Sequence, residues 1–316
     1  MMGSVPGSSV RSSVGLIWRH QRLVWWIFAV NLVLAFLGSL TARAVLSSVL
    51  DHSLESARLV SGFDLSSFVL MMERPDVSMR AMAPGAVAGA FVFLVYLLFV
   101  DGGIFAVFLG DRKLSRAEFF ESSGLYFWRM ARMALYSLLP FGILAALNGV
   151  VASVAEKLSN DAAPERLGFL VNVAGKIVVL LLALFVRLCF DLTQARVVRD
   201  NERRLLRTLW RSVKLALHSG SLYAKYVGIG LYMGLVFTVG MAVWVYIPHS
   251  TMWLSVLMLE LVTLKLIASQ LWLKAVSARY IALEPGEFVS SSAPLPRQEE
   301  SPAPPMGVPD APPSSL

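Results

Sequence analysis

The chain has 316 residues, of which 56% are hydrophobic and 16% charged, and its mean hydropathy is +0.65. A soluble domain carries about 25% charged residues, and a single core cannot hide the apolar surplus of a chain this size. That excludes an ordinary soluble protein, most secreted ones and wholesale disorder, while the single Cys189 excludes an intrachain disulfide framework and a cysteine-built zinc site.

Crossing roughly 30 Å of hydrocarbon takes about 20 helical residues. Six apolar stretches meet that length: 23–40, 87–110, 133–154, 170–192, 226–247 and 252–276. Backbone groups left unpaired in lipid are too costly, and no alternating barrel pattern is present. The expected fold is therefore all-α, a polytopic transmembrane bundle of six helices.

In chain order, residues 1–13 read as a flexible N-terminus and 14–283 as the membrane domain. The first span follows Trp18-Arg19. A competing reading takes it as a cleaved secretory signal, because Arg11, Arg19 and Arg22 precede an apolar run ending at Ala42-Arg43-Ala44. The length of the run, and the recurrence of its approach sequence downstream, favour a retained span. Residues 41–82 form a long loop, read as an amphipathic cap: Val45, Leu46, Val49, Leu50 and Leu54 have helical spacing, and Asp64 could cap a second short helix. The second span ends in Asp101-Gly102-Gly103. The third follows Trp128-Arg129 and carries Pro140, which should kink it. A short polar loop, 156–166, leads to the fourth span and then to a strongly basic loop, 194–225, containing Arg203, Arg204, Arg207, Trp210 and Arg211. The last two spans are joined by a tight turn at Pro248-His249-Ser250. The tail, 284–316, is rich in Pro, Ser and Glu and reads as disordered.

Lysine and arginine set the orientation. The termini and the loops after the second and fourth spans hold 18 of them, and the opposite side holds 6. Both termini are therefore expected in the cytoplasm, in a bacterial inner membrane. Trp25, Trp26, Trp128 and Trp272 would mark one interface, and Trp244, Tyr246 and Trp253 the other. The net charge of +7 sits at the membrane margin, where anionic headgroups account for it without nucleic acid.

Three segments precede the odd-numbered spans: Leu16-Ile17-Trp18-Arg19, Tyr126-Phe127-Trp128-Arg129 and Thr208-Leu209-Trp210-Arg211. Each suits an interfacial helix with the indole at headgroup depth and the guanidinium on phosphate. In the even spans, Phe99-Val100-Asp101 matches Phe185-Val186-Arg187, and Ala195-Arg196 matches Ala278-Arg279 at an offset that sets Gln270 opposite Arg187. The expected unit is an interfacial helix plus a helical hairpin, present as three pseudo-repeats.

With Asp101-Gly102-Gly103, Tyr126-Phe127-Trp128-Arg129 and Asp191-Leu192-Thr193-Gln194-Ala195-Arg196 in view, the chain over about 14–282 resembles a broad group of bacterial six-helix membrane proteins. It is also loosely similar to the membrane domain joined to some glycerophosphodiester phosphodiesterases. The resemblance implies six spans in three hairpins. It implies no activity, since it does not extend to the phosphodiesterase domain.

No G-x-S-x-G, H-E-x-x-H or Walker A pattern occurs, and Cys189 reads as a packing residue. No cofactor, metal site or enzymatic activity is expected. Ionisable groups inside spans are rare, and they pair or line a cavity. Asp101, Arg187, Asp191, Glu260, Lys265 and Gln270 therefore form the candidate polar cluster. Asp101 is expected to face Arg187, and Lys274 to snorkel to the interface. Gly85-x-x-x-Gly89 and Gly230-x-x-x-Gly234 are candidate close-packing sites. The expected function is handling of lipid or a small amphiphile, as a transporter-like or lipid-organising bundle. The alternative is a scaffold or accessory subunit that docks a membrane-protein partner through the basic loop or the tail.

Overall fold

A computed structural model of the chain describes residues 8–50, 79–110, 115–161, 166–247 and 252–284. Among these residues every regular element is a helix and none is a strand. We number the helices α1 (Ser8–Arg19), α2 (Gln21–Leu50), α3 (Met79–Leu109), α4 (Arg116–Asp161), α5 (Arg166–Arg199), α6 (Leu205–His218), α7 (Gly220–Tyr246) and α8 (Met252–Leu283). Six of them, α2, α3, α4, α5, α7 and α8, are long and apolar enough to cross a membrane. This architecture is compatible with a multi-pass membrane protein.

Several boundaries differ from the sequence reading, always because a helix runs on. Ser8–Ser13 is helical rather than a flexible arm. Residues 41–50, expected in a loop, continue α2, and 79–82 open α3; residues 51–78 of that loop, including Asp64, lie outside the described residues, as do His249 and the tail beyond Glu284. The basic 194–225 segment, expected as a loop with a helix around Trp210-Arg211, is almost wholly helical, and α6 is that helix. α5 continues through Arg199, α6 occupies 205–218 and α7 starts at Gly220. Trp128-Arg129 sits on no separate interfacial helix, because α4 runs unbroken for 46 residues and through Pro140. A reciprocal capping box starts it: Ser115 N–H donates to Glu118 Oε2 at 2.7 Å and Glu118 N–H to Ser115 Oγ at 3.2 Å.

The links at the Trp-Arg end are short and held by side chains. Asn201 takes φ = 50°, a left-handed conformation that Asn tolerates better than most residues. Arg129 donates to its Oδ1 at 2.5 Å, tying the α5–α6 turn to α4. Only Ser219 separates α6 from α7, and its hydroxyl lies 2.6 Å from that of Tyr280 on α8.

The core sits at this basic end. Helices α3, α5 and α8 touch one another there, and each carries one Trp-Arg segment on its outer side: α4 on α3, α6 on α5, α1 on α8. The α3–α4 contact depends on glycine. A Cβ at Gly102 would lie 2.9 Å from Tyr126 Cβ, and one at Gly103 would collide with Ser123 Oγ and Phe119. The α1–α8 contact includes a bond from Trp272 Nε1 to Ser13 Oγ at 3.1 Å. Phe105, Met130, Met133, Leu188, Leu192, Tyr226 and Leu273 are all buried in this half.

The other half is built differently. Over the described residues of 28–50, 79–98, 134–161, 166–186, 231–247 and 252–268, only Leu144, Ala155, Gly168, Gly240 and Val262 are buried. The close approaches made there by small residues lie within one hairpin: Gly89 on Gly38 in α2–α3, Gly168 on Ala155 and Gly175 on Val151 in α4–α5, and Gly240 on Val262 in α7–α8. Of the glycines expected to pack closely, Gly234 meets nothing, whereas a Cβ at Gly230 would lie 2.9 Å from Leu184 Cδ1 of the neighbouring hairpin. The three hairpins are thus joined at the basic end and only zipped in pairs at the far end.

Candidate functional site

The basic end encloses a cluster to which each hairpin contributes. Asp101 on α3 forms an ion pair with Lys274 Nζ on α8; the two side chains are 16% and 13% exposed. Lys274 also lies 5.7 Å from the centre of the Phe105 ring, a cation–π contact. On α5, Arg187 Nε is 3.7 Å from Asp191 Oδ2, one helical turn apart. Asp191 also feels the charges of Lys274 and Asp101, which couples the two pairs. Tyr226 on α7 is fully buried. Its hydroxyl donates to Asp191 Oδ2 at 3.0 Å and abuts the Ser277 hydroxyl, while Ser277 donates to the Leu273 carbonyl at 3.1 Å. Each buried carboxylate therefore has a cationic partner, as low-dielectric surroundings demand.

Three expectations need correcting here. Asp101 pairs with Lys274 and not with Arg187. The residue of α5 that reaches this layer is Asp191, one turn along, and α8 extends far enough past Lys274 to keep it inside the bundle rather than at the interface. Glu260, Lys265 and Gln270 do not join the cluster: Glu260 is half-buried, and Lys265 and Gln270 are exposed. They lie on α8 between four and fourteen residues before Lys274: Glu260 and Lys265 fall in the far half, and Gln270 is on the exposed side of the helix between buried Ser269 and Leu271. The structure instead supplies Lys274, Tyr226 and Ser277. A tyrosine near a span terminus reads as an interfacial anchor, so only tertiary contact reveals its role.

Arg187 is the most open member, 29% exposed. It lies one turn from Asp191 on the side of the far end. Its guanidinium has donors to spare beyond the single 3.7 Å approach to Asp191.

The Trp-Arg segments repeat a burial pattern. Five residues before each Trp stands a buried residue: Ser13, Ser123 or Leu205. The two residues just before it are buried or half-buried, and the indoles themselves point outward, Trp18 at 76%, Trp128 at 71% and Trp210 at 62% exposed. Arg19, Arg203, Arg204, Arg207 and Arg211 are exposed, whereas Arg129 is half-buried by its bond to Asn201. On α6 the protein-facing side is Leu205, Thr208, Ser212 and Ala216, and the exposed apolar side is Leu206, Trp210 and Leu217. Arg207, Arg211 and Lys214 occupy the third side. A helix that keeps its large apolar groups away from its own protein, beside a cationic strip, has the form of an interfacial helix.

Among the described residues no group of three His, Cys, Asp or Glu side chains could hold a metal ion. What the fold defines is a helical chain of multi-pass type with a charge-neutralised cluster at one end. No protein-family model, curated protein or solved structure matches the chain.

Proposed function

We propose that this chain is a multi-pass protein of a bacterial inner membrane, with both termini in the cytoplasm, that handles lipid or a small amphiphile without catalysing a covalent reaction. The observation that carries the reading is the packing asymmetry. Hairpins zipped only in pairs leave apolar walls that acyl chains can enter from one leaflet, and Arg187 stands where those walls meet the cluster. An arginine with unused donors suits a phosphate or carboxylate headgroup.

Within this reading the chain is three pseudo-repeats, each an interfacial segment followed by a hairpin. The repeated burial around Trp18, Trp128 and Trp210 supports it, as does the way each segment packs on the even helix of the preceding hairpin, the first on the last. The exposed indoles and arginines then hold the basic end against anionic headgroups, each cation contributing about 1 kcal/mol near such a surface.

A scaffold that docks a membrane-protein partner is the second reading, favoured by the pairing of both carboxylates in the cluster. One experiment separates the two. The purified protein is reconstituted in liposomes carrying a fluorescent phospholipid in one leaflet, and transbilayer redistribution is followed. Lipid handling predicts redistribution faster than in protein-free vesicles and slower again with Arg187→Gln. Rates equal to those of protein-free vesicles would leave the scaffold.

A further inference from the structure

At the far end of the α4–α5 hairpin lies a cleft of about 510 Å³, lined by Ala152, Ala155, Glu156 and Ser159 of α4 and by Gly168, Phe169, Asn172 and Lys176 of α5. We propose that it binds the headgroup of a zwitterionic lipid carrying a primary ammonium and a phosphate. The proposal rests on the lipid-handling reading and adds to it a second site, remote from the cluster, with a defined headgroup class.

The cleft exists because its floor is made of small residues. A Cβ at Gly168 would stand 2.8 Å from the Ala155 carbonyl oxygen and 2.8 Å from Ser159 Cβ. With Ala152 and Ala155 opposite, α4 and α5 approach closely and leave the space above them unfilled. Its volume lies within the range of small-molecule sites. Two charged side chains line it without partners of their own, and between them lies an amide with an unpaired buried oxygen. Glu156 and Lys176 form no ion pair with each other or with another described residue, although both line the same cleft. Asn172 Oδ1 is buried and accepts no hydrogen bond, which is costly unless a ligand supplies the donor. Phe169, 68% exposed, offers an apolar margin beside it.

The order of these groups along the hairpin selects the ligand. The packing of Gly168 on Ala155 puts Glu156 near the top of the cleft. Asn172 is four residues deeper and Lys176 eight residues deeper than Gly168, about 6 and 12 Å at the helical rise. Lys176 can reach back toward the surface by extending its stem. An acceptor carboxylate above, an acceptor amide oxygen in the middle and a cation below match a headgroup whose ammonium lies outside its phosphate. A choline headgroup has no N–H to donate to Glu156 or Asn172. A glycerol headgroup has no cation to neutralise Glu156.

Native mass spectrometry of the full chain in detergent tests this, with phosphatidylethanolamine, phosphatidylcholine and phosphatidylglycerol of identical acyl chains added in turn. The expected result is tighter retention of phosphatidylethanolamine than of the other two by about tenfold, the size of one charge-assisted hydrogen bond. Glu156→Gln should abolish that preference, Lys176→Gln should weaken all three lipids alike, and Gly234→Ala, at an open position elsewhere, should change nothing. Lipids retained without preference, or a preference that survives Glu156→Gln, would overturn the headgroup assignment and leave lipid handling standing. No retention of any lipid would overturn both.

Discussion

The basic half and the far half of the same helices obey different rules. At the basic end α3, α5 and α8 meet, Tyr226 and Leu273 are fully buried, and every carboxylate of the cluster is paired. At the far end the same helices expose Phe91, Leu180 and Leu257, and beyond the Gly230–Leu184 level the close contacts of their small residues stay within hairpins. The difference shows that six apolar helices need not form one bundle along their whole length. In lipid, apolar side chains gain little by leaving acyl chains for one another, so association depends on close approach and polar contacts. This chain concentrates inter-hairpin polar contacts at one end.

Mutations that strike the two halves unequally would sharpen that contrast. The largest effect is expected at the cluster. Asp101→Leu strands Lys274 and Lys274→Met strands Asp101, each costing about 3–5 kcal/mol, and the double variant should regain much of the loss. Thermal stability of the detergent-purified protein reads this out; single variants as stable as the parent would remove the pair as a fastener.

Next in size is a matched truncation. Met133→Ala, at a site with no exposure, should cost about 2–5 kcal/mol. Leu235→Ala in the far half, 61% exposed, should stay within about 0.5 kcal/mol. Equal losses would contradict the division between halves.

Glycine substitutions come third. Gly103→Ala forces Ser123 and Phe119 aside and should cost about 1–3 kcal/mol. Gly234→Ala, facing open space, should be neutral or slightly stabilising through helix propensity. The smallest effect is Asp200→Asn at the surface. Its partner Arg199 lies 2.7 Å away with both side chains partly solvated, and the loss should be at most about 1 kcal/mol and should shrink in salt.

Helix existence was legible in the sequence because apolar length is a one-dimensional property. Helix ends were less so. α2 runs on to Leu50 without a break, past the loop boundary expected at Thr41, and the helix expected around Trp210-Arg211 runs from Leu205 to His218, a start that no capping side chain marks. In the cluster, Asp101, Arg187 and Asp191 were recognisable as charges out of place. Their pairing was not, because Arg187 and Asp191 stand on one face a turn apart and a pattern cannot say which turn meets the neighbour. The offset that matches Ala195-Arg196 with Ala278-Arg279 also sets Asp191 opposite Lys274, and that was the available signal. It was masked because a lysine near a span terminus resembles a snorkelling one. Glu260 and Lys265 were drawn in by their hydropathic depth alone, which carries no information about facing.

The account's central claim is that the hairpins are fixed to one another at the basic end and free at the far end. Spin-label distances in lipid nanodiscs test it most directly, in a Cys189→Ala background, since the one native cysteine is buried. Labels at Val14, Leu125 and Leu206 report on the three hairpins at the basic end, and labels at Phe91, Phe169 and Leu235 on the far end; all six positions are exposed. The account predicts narrow distance distributions for every basic-end pair and broad ones for far-end pairs that shift with lipid composition. Far-end distributions as narrow as those at the basic end, and indifferent to lipid, would contradict it.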